Sequence, residues 1–200
     1  MRTLFEKTRK MFFKKVGLFV AIFMFLKKKH KGFSLLSLTQ HIKILIIMKV
    51  YSKKSEQKVN ASLEECWAFF SSPRNLQKIT PPSMGFTITD FDEKNMYAGQ
   101  IIQYKVSPLL GIKLTWVTEI TMVKEQRYFI DEQRFGPYTL WHHKHFFEPS
   151  ENGVLMTDLV HYALPLGFIG RIMNALVVKN KLNEIFEYRA KRVNEIFNAK

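Results

Sequence analysis

The sequence from residue 48 to residue 200 predicts an α+β fold in which a curved antiparallel sheet wraps around one long C-terminal helix. Three observations predict it. A first strand is followed by two short helical segments. Six segments then alternate apolar and polar residues between turn signals. A helix of about 30 residues with one broad apolar stripe ends the chain. This order, β-α-α-β6-α, predicts a helix-grip fold.

The first elements have clear boundary signals. Residues 49–59 alternate loosely and predict an edge-exposed strand. Ser62, followed three residues later by Glu65, is a capping-box pattern that predicts the start of a helix over 63–71. A second short helix is predicted over 74–79, and prolines flank it on both sides.

The six later strands are each expected to turn one face towards the helix, because side chains alternate between the two faces of a strand. Half-covered antiparallel strands typically have one apolar and one polar face. The residues expected on the inner face are Phe86, Ile88, Ile102, Tyr104, Val106, Ile112, Leu114, Trp116, Ile120, Met122, Phe129, Asp131, Gln133, Phe135, Trp141, His143, His145, Phe147, Met156, Asp158, Val160, Tyr162 and Leu164.

The last helix is predicted over residues 168–198, long enough at about 45 Å to cross the sheet. Its apolar stripe is expected to consist of Ile169, Ile172, Met173, Leu176, Leu182, Ile185, Phe186, Val193, Ile196 and Phe197. The basic residues Lys179, Lys181, Arg189, Lys191 and Arg192 are expected on its solvated face.

Residues 1–47 differ from the rest in composition, with eleven of the 31 lysines and arginines but only one of the 17 acidic residues. Their apolar run over 16–26 is shorter than the roughly 20 residues that span a bilayer. Three explanations stay open: the true start is Met48 and the segment is a mis-assigned extension, it is an uncleaved membrane-surface anchor, or it is a signal peptide. We expect it to lie outside the fold.

The charge and cysteine content limit the functional classes. The whole chain has a formal net charge of +14, but most of the excess lies before Met48, so the domain lacks the clustered basic residues of a nucleic-acid-binding surface. The single cysteine, Cys66, excludes an intramolecular disulfide and is expected to be a buried structural thiol. We therefore expect a cytoplasmic protein, or a membrane-associated one if residues 1–47 are translated.

Three stretches carry a family resemblance: FFSSPRNLQKITPP (69–82), FIDEQRFGPYTLWHHKHFFEP (129–149) and LMTDLVHYALPLGFIGRIMN (155–174). They resemble the START-like or birch-pollen-allergen superfamily, also called SRPBCC, and within it a bacterial branch of uncharacterised ligand-binding or polyketide-cyclase-like members. The resemblance covers roughly residues 50–198 and implies a helix-grip domain with an apolar cavity between sheet and helix. The superfamily includes carriers, receptors, cyclases and oxygenases, so fold alone does not give activity.

Several residues are candidates for a site on the inner face. The expected ligand-binding residues are Tyr104, Trp116, Phe129, Gln133, Trp141, His143 and Tyr162. The candidates for catalysis are His143, His145, Asp131 and Asp158, because a neighbouring carboxylate tunes the basicity of histidine. These four polar groups could instead pair only with one another. His143 and His145 could also bind a metal with Asp131 or Asp158, but two ligands without a clear third are a weak signal, so no metal and no cofactor is expected.

Three functional hypotheses follow. The first is a non-catalytic carrier or sensor that binds a small hydrophobic or amphipathic molecule. The second is a cyclase, dehydratase or isomerase that uses His143 or His145 as a general acid or base. The third is an interaction module that works through its surface, at a membrane if residues 1–47 are present.

Overall fold

The computed structural model describes residues 48–107 and 112–198, so the expectations for residues 1–47 lie outside the described residues. The strands are β1 (Val50–Val59), β2 (Thr87–Phe91), β3 (Ile101–Val106), β4 (Leu114–Lys124), β5 (Tyr128–Phe135), β6 (Leu140–Ser150) and β7 (Gly153–Ala163). The helices are α1 (Leu63–Phe70), α2 (Pro73–Leu76), α3 (Phe168–Met173) and α4 (Lys179–Asn198). Two 3-10 turns, Gln77–Ile79 and Pro82–Met84, follow α2, and a π-helical turn, Asn174–Val178, joins α3 to α4.

The seven strands form one antiparallel sheet in the order β1-β7-β6-β5-β4-β3-β2. The first strand pairs with the last, from Val50 opposite Ala163 to Val59 opposite Val154. The remaining strands follow one another as a meander, which leaves β1 and β2 at the two edges. The predicted α+β helix-grip fold and the edge position of the first strand are confirmed.

The helix α1 begins where the capping-box pattern predicts. Ser62 Oγ accepts a hydrogen bond from the backbone N–H of Glu65 at 3.1 Å, and Glu65 Oε2 accepts one from the N–H of Ser62 at 3.0 Å. Cys66 and Trp67 are buried on the inner side of this helix. The predicted second helix is shorter than expected, because α2 tightens into the 3-10 turn after Leu76.

The β4–β5 pair contains two β-bulges, and because of them the predicted inner-face positions of two residues are wrong. An extra residue in β4 between Ile120 and Met122 reverses the alternation, so Met122 is 48% exposed and Val123 packs against the core instead. An extra residue in β5 leaves Phe135 opposite Val117, and Phe135 is also 48% exposed. Because a bulge bends its strand and increases the local twist, both irregularities favour a sheet that curves around the helix.

Residues 168–198 are helical throughout, as predicted, but the π-helical turn changes the buried face. Gly170 and Asn174 are buried before and within the turn, whereas Ile172 and Leu176 are exposed. The predicted positions of Ile172 and Leu176 on the buried stripe are therefore wrong. A π turn contains an additional residue relative to an α turn and so rotates the preceding segment about the helix axis.

The core consists of two groups of buried side chains that lie at different places along the sheet. The larger joins α1 and the end of α4 to the sheet and includes Trp67, Phe147, Val193 and Phe197. The smaller consists of Val160, Tyr162, Leu182 and Phe186. Gly170 lets the start of the helix approach the end of β7, because a Cβ there would lie 2.3 Å from the carbonyl oxygen of Pro165.

Among the described residues, the helices include none with both the length and the hydropathy needed to span a membrane.

Candidate functional site

A cavity of about 490 Å³ lies between the inner face of the sheet and the C-terminal helix. This volume falls within the range of small-molecule sites. Its walls are mostly apolar side chains from β3 to β6, from α1 and from the C-terminal helix. The sheet contributes them because one face of each strand carries the apolar residues, as the alternation predicts.

Four of the predicted ligand-binding aromatic residues, Tyr104, Trp116, Phe129 and Trp141, line this cavity. The ring centroid of Trp116 lies 5.9 Å from that of Tyr104 and 5.2 Å from that of Trp141, so these rings form a continuous wall. Tyr138, which sequence reasoning missed, extends the wall against Trp141 at 4.9 Å.

The polar atoms of Trp116 and Tyr104 in this wall find partners within the protein itself. Trp116 Nε1–H donates to Thr118 Oγ1 at 3.0 Å, and the hydroxyl of Tyr104 lies 2.9 Å from the same oxygen. Thr118 is buried, lines the cavity and was not predicted as a site residue. These two aromatic groups therefore present mainly apolar ring surface to the cavity.

Two predicted ligand-binding residues lie elsewhere. The amide of Gln133 pairs with the backbone of Tyr138, donating to its carbonyl at 2.7 Å and accepting from its N–H at 3.2 Å, and so holds the β5–β6 turn. Tyr162 is buried in the smaller core group and donates to Asn174 Oδ1 at 2.9 Å. Neither side chain lines the cavity.

The four candidates for catalysis come together on three neighbouring strands, β5, β6 and β7. Register places Asp131 of β5 opposite His143 of β6, and His145 of β6 opposite Asp158 of β7. His143 Nε2 lies 2.7 Å from Asp158 Oδ1, and His145 Nε2 lies 2.8 Å from Asp131 Oδ2. The two imidazole rings lie between the two carboxylates with their centroids 3.8 Å apart. We call these four side chains the His–Asp cluster.

Within the His–Asp cluster, Asp131, His143 and His145 line the cavity, whereas Asp158 does not. Asp131, His143 and His145 also each offer one atom suited to a metal, and these atoms lie within 4.8 Å of one another. The rings are held by their neighbours: Phe129 stacks on His145 at 4.0 Å, and Phe186 packs edge-on against His143 at 5.9 Å.

Burial and the charges of neighbouring groups shift the pKa values of the four side chains in the His–Asp cluster, and not all in the same direction. Burial alone would raise the pKa of Asp131 and Asp158, but hydrogen bonds and charge from the histidines outweigh it, so both pKa values are lowered and both groups are carboxylates. Burial lowers the pKa of His143, and the charge of His145 adds to this effect. Burial would also lower the pKa of His145, but the two aspartates outweigh it and raise its pKa.

A cation from the C-terminal helix completes the arrangement. Arg189 Nη1 lies 3.7 Å from Asp158 Oδ1, the Arg189 side chain lines the cavity, and its guanidinium lies 5.1 Å from the centroid of Phe186. Lys181 lines the cavity as well and pairs with Glu184. The expectation that Arg189 and Lys181 are simply solvated is therefore wrong. The sequence did indicate an inward position for Arg189, since Arg189 shares one helical stripe with the apolar residues Leu182, Phe186 and Val193.

No protein-family model matches this chain, and no curated protein matches it. Solved structures do match. A Rhodobacter sphaeroides protein has a TM-score of 0.57 at 15% identity, covering 76% of this chain and 99% of that one. The protein TTHA0849 from Thermus thermophilus has a TM-score of 0.56 at 16% identity, covering 74% and 98%. Ms6760 from Mycobacterium smegmatis has a TM-score of 0.54 at 17% identity, covering 76% and 97%. At these identities the likeness shows that the fold is shared.

Proposed function

We propose that this domain binds a small hydrophobic or amphipathic molecule in the cavity between the sheet and the C-terminal helix, as a carrier or sensor. The observation that carries the proposal is the cavity itself, which holds about 490 Å³ and has mostly apolar walls. Apolar concave sites with a few convergent polar groups are the usual form of small-molecule sites.

The distribution of polar groups favours an amphipathic ligand. Tyr104, Trp116 and Trp141 supply apolar wall, while Asp131, His143, His145 and Arg189 bring polar groups to the same cavity. A ligand with an apolar body and one polar group matches both the apolar wall and these polar groups. An apolar group placed against the His–Asp cluster would desolvate the cluster without a compensating hydrogen bond. The three sequence stretches and the shared fold together support assignment to the ligand-binding or cyclase-like branch of the START-like superfamily.

A pair of tryptophan substitutions on the same helix tests the site. Val177 lines the cavity, whereas Ala175, two residues earlier, is exposed. We expect Val177→Trp to weaken binding of the amphipathic fluorescent probe 1-anilinonaphthalene-8-sulfonate by at least about tenfold, since the indole occupies space that the probe needs. Ala175→Trp should leave the affinity within about twofold, and fluorescence titration of the full chain measures both.

Equal affinity of the two variants would place the probe outside the cavity and contradict the proposal. Native mass spectrometry of the full chain purified from its own host gives an independent measurement. A stoichiometric small molecule released on unfolding supports the proposal and identifies the class of ligand.

A second candidate function is catalysis, and the two short histidine–aspartate contacts at the cavity surface favour it. Asp131 and His145 both line the cavity and lie 2.8 Å apart, so this pair would exchange a proton with a bound molecule in a cyclase, dehydratase or isomerase reaction. With the molecule identified by mass spectrometry, His143→Gln combined with His145→Gln should abolish its turnover but leave its binding largely intact. Turnover that survives the double substitution would contradict catalysis by these histidines.

A further inference from the structure

We propose that Asp131, His143 and His145 bind a divalent transition-metal ion, with zinc as the best match, in the wall of the cavity. The sequence shows two histidines that share a strand face but no clear third ligand. The structure supplies the third from the neighbouring strand β5, where Asp131 lies directly opposite His143. Two imidazoles and one carboxylate, with a further position open, form a ligand set typical of catalytic zinc sites.

All three ligand atoms lie within 4.8 Å of one another, and the two separations that involve Asp131 are close to those that a metal requires. In a tetrahedral site with bonds of about 2.0–2.1 Å, neighbouring ligand atoms lie about 3.4 Å apart. His143 Nδ1 lies 3.5 Å from Asp131 Oδ2, and His145 Nε2 lies 2.8 Å from the same oxygen. The second separation has to widen by about 0.6 Å to give that geometry. The first already matches it.

Asp158 is placed to act as the outer partner of both histidines. When His143 Nδ1 and His145 Nε2 face Asp131, their other ring nitrogens face Asp158 Oδ1, at 2.7 Å for His143 Nε2 and 2.9 Å for His145 Nδ1. His145 Nδ1 is buried and makes no aligned hydrogen bond at present. Metal-binding histidines usually donate their second N–H to a carboxylate, which fixes the ring tautomer and orientation.

Charge and access both place the ion on the Asp131 side rather than the Asp158 side. The guanidinium of Arg189 lies 3.7 Å from Asp158 and would repel a cation there, while it partly neutralises that carboxylate. Asp131 and the two histidines line the cavity, whereas Asp158 does not. The open coordination position would therefore face the cavity, where an oxygen donor of a bound molecule or a water could occupy it.

The ligand rings also pack against aromatic side chains. Phe129 stacks on His145, and Phe186 and Trp141 contact His143 edge-on with centroids 5.9 and 6.1 Å away. Packing of this kind keeps the ligands near one arrangement before the ion binds, which lowers the ordering cost of binding.

The test is a calorimetric titration of the metal-stripped full chain with Zn²⁺ alone. The chain has six histidines, so the variant with His30, His41, His142 and His161 all replaced by Gln retains only His143 and His145. His142 and His161 need removal because their rings pair on the outer face, 6.4 Å apart, where they could bind zinc adventitiously. We expect wild type and this variant to bind one equivalent with the same affinity.

Substitution of a direct ligand should have the opposite effect. We expect His145→Gln and Asp131→Asn each to weaken zinc binding by more than about 100-fold, and Asp158→Asn by about 10–100-fold, the range for outer partners. Circular dichroism establishes that each variant is folded. Co²⁺ bound to the wild-type chain should show the intense visible absorption of a four-coordinate site, which does not depend on any variant.

Three results would overturn the proposal. The first is a wild-type chain that binds no stoichiometric Zn²⁺. The second is zinc binding that persists in folded His145→Gln but disappears from the variant with four histidines replaced, which would locate the ion on the surface. The third is a Co²⁺ spectrum of the weak, six-coordinate kind. In each case the His–Asp cluster would be a self-contained hydrogen-bond network, and ligand binding in the cavity would stand unaffected.

Discussion

The buried side chains owe their chemistry to their surroundings, and Cys66 gives the simplest case. It is fully buried in the larger core group, and burial raises the pKa of its thiol from 9.0 to about 12. The sequence-based expectation of a structural thiol agrees with this position. Since the thiolate is the reactive form, Cys66 should be inert in the folded protein.

We expect iodoacetamide at pH 8 to modify Cys66 slowly in the folded chain and rapidly after denaturation. Below about pH 9 the Cys66 thiol is protonated in both the folded and the unfolded state. Between about pH 9 and pH 12 only the unfolded state loses the proton, so the contribution of Cys66 to the free energy of unfolding declines over this range. Mass spectrometry of the alkylated product measures the rates. Fast modification under native conditions would mean that the thiol is accessible.

Residue spacing correctly predicted which face of the sheet a side chain lies on, but it did not predict whether that side chain lines the cavity. Alternation along β6 correctly brought Trp141, His143, His145 and Phe147 to one face, because side chains of a regular strand must alternate. The same rule does not report what lies opposite that face. Tyr162 and Gln133 point inward but meet Asn174 and the β5–β6 turn instead of the cavity.

At the scale of elements, the main departures from prediction are irregularities that arise between elements. The two bulges of the β4–β5 pair depend on how many residues each strand places against its neighbour, which neither strand's own sequence states. The π-helical turn likewise brings Asn174 to face Tyr162 of β7. Element type and order were predictable because helical and strand periodicities are local properties.

We expect Tyr162→Phe to destabilise the protein by about 1–3 kcal/mol, because Asn174 Oδ1 would be left buried without its donor. Tyr51→Phe is the matched control, since Tyr51 stacks on Tyr162 at 5.5 Å but its hydroxyl has no hydrogen-bond partner among the described residues. Urea unfolding measures both free energies. Equal effects of the two substitutions would show that the Tyr162–Asn174 hydrogen bond contributes little.

At the scale of the whole molecule, packing at two places keeps the sheet and helix apart and leaves the cavity. Trp67, Phe147 and Phe197 belong to one group, and Tyr162 and Phe186 to the other. The cavity volume therefore depends on how far the C-terminal helix lies from the sheet. The β-bulges, the π-helical turn and the sizes of the packed side chains together determine that distance. No single segment of sequence determines it, so the existence of a cavity could be predicted but its extent could not.

Removal of α4 tests how far the fold depends on the helix. A chain ending at Val178 loses Leu182, Phe186, Val193 and Phe197, each of which contributes about 1.5–3 kcal/mol when buried. Their sum, about 6–12 kcal/mol, is similar to the whole stability of a typical domain, so we expect no cooperative thermal transition by circular dichroism. A chain ending at Asn198 should unfold like the full chain. Cooperative unfolding of the shorter chain would contradict this dependence.

The pairing of β1 with β7 has a consequence for the order of events during synthesis. Val50 lies beside Ala163, so β1, which is synthesised before the other strands, cannot pair with its neighbour until β7 has been synthesised. Until β7 leaves the ribosome, neither strand can complete its backbone hydrogen bonds with the other. Contacts so distant along the chain slow folding to the range of milliseconds to seconds. The lysines of β1, Lys53, Lys54 and Lys58, would discourage aggregation through the unpaired strand during this interval.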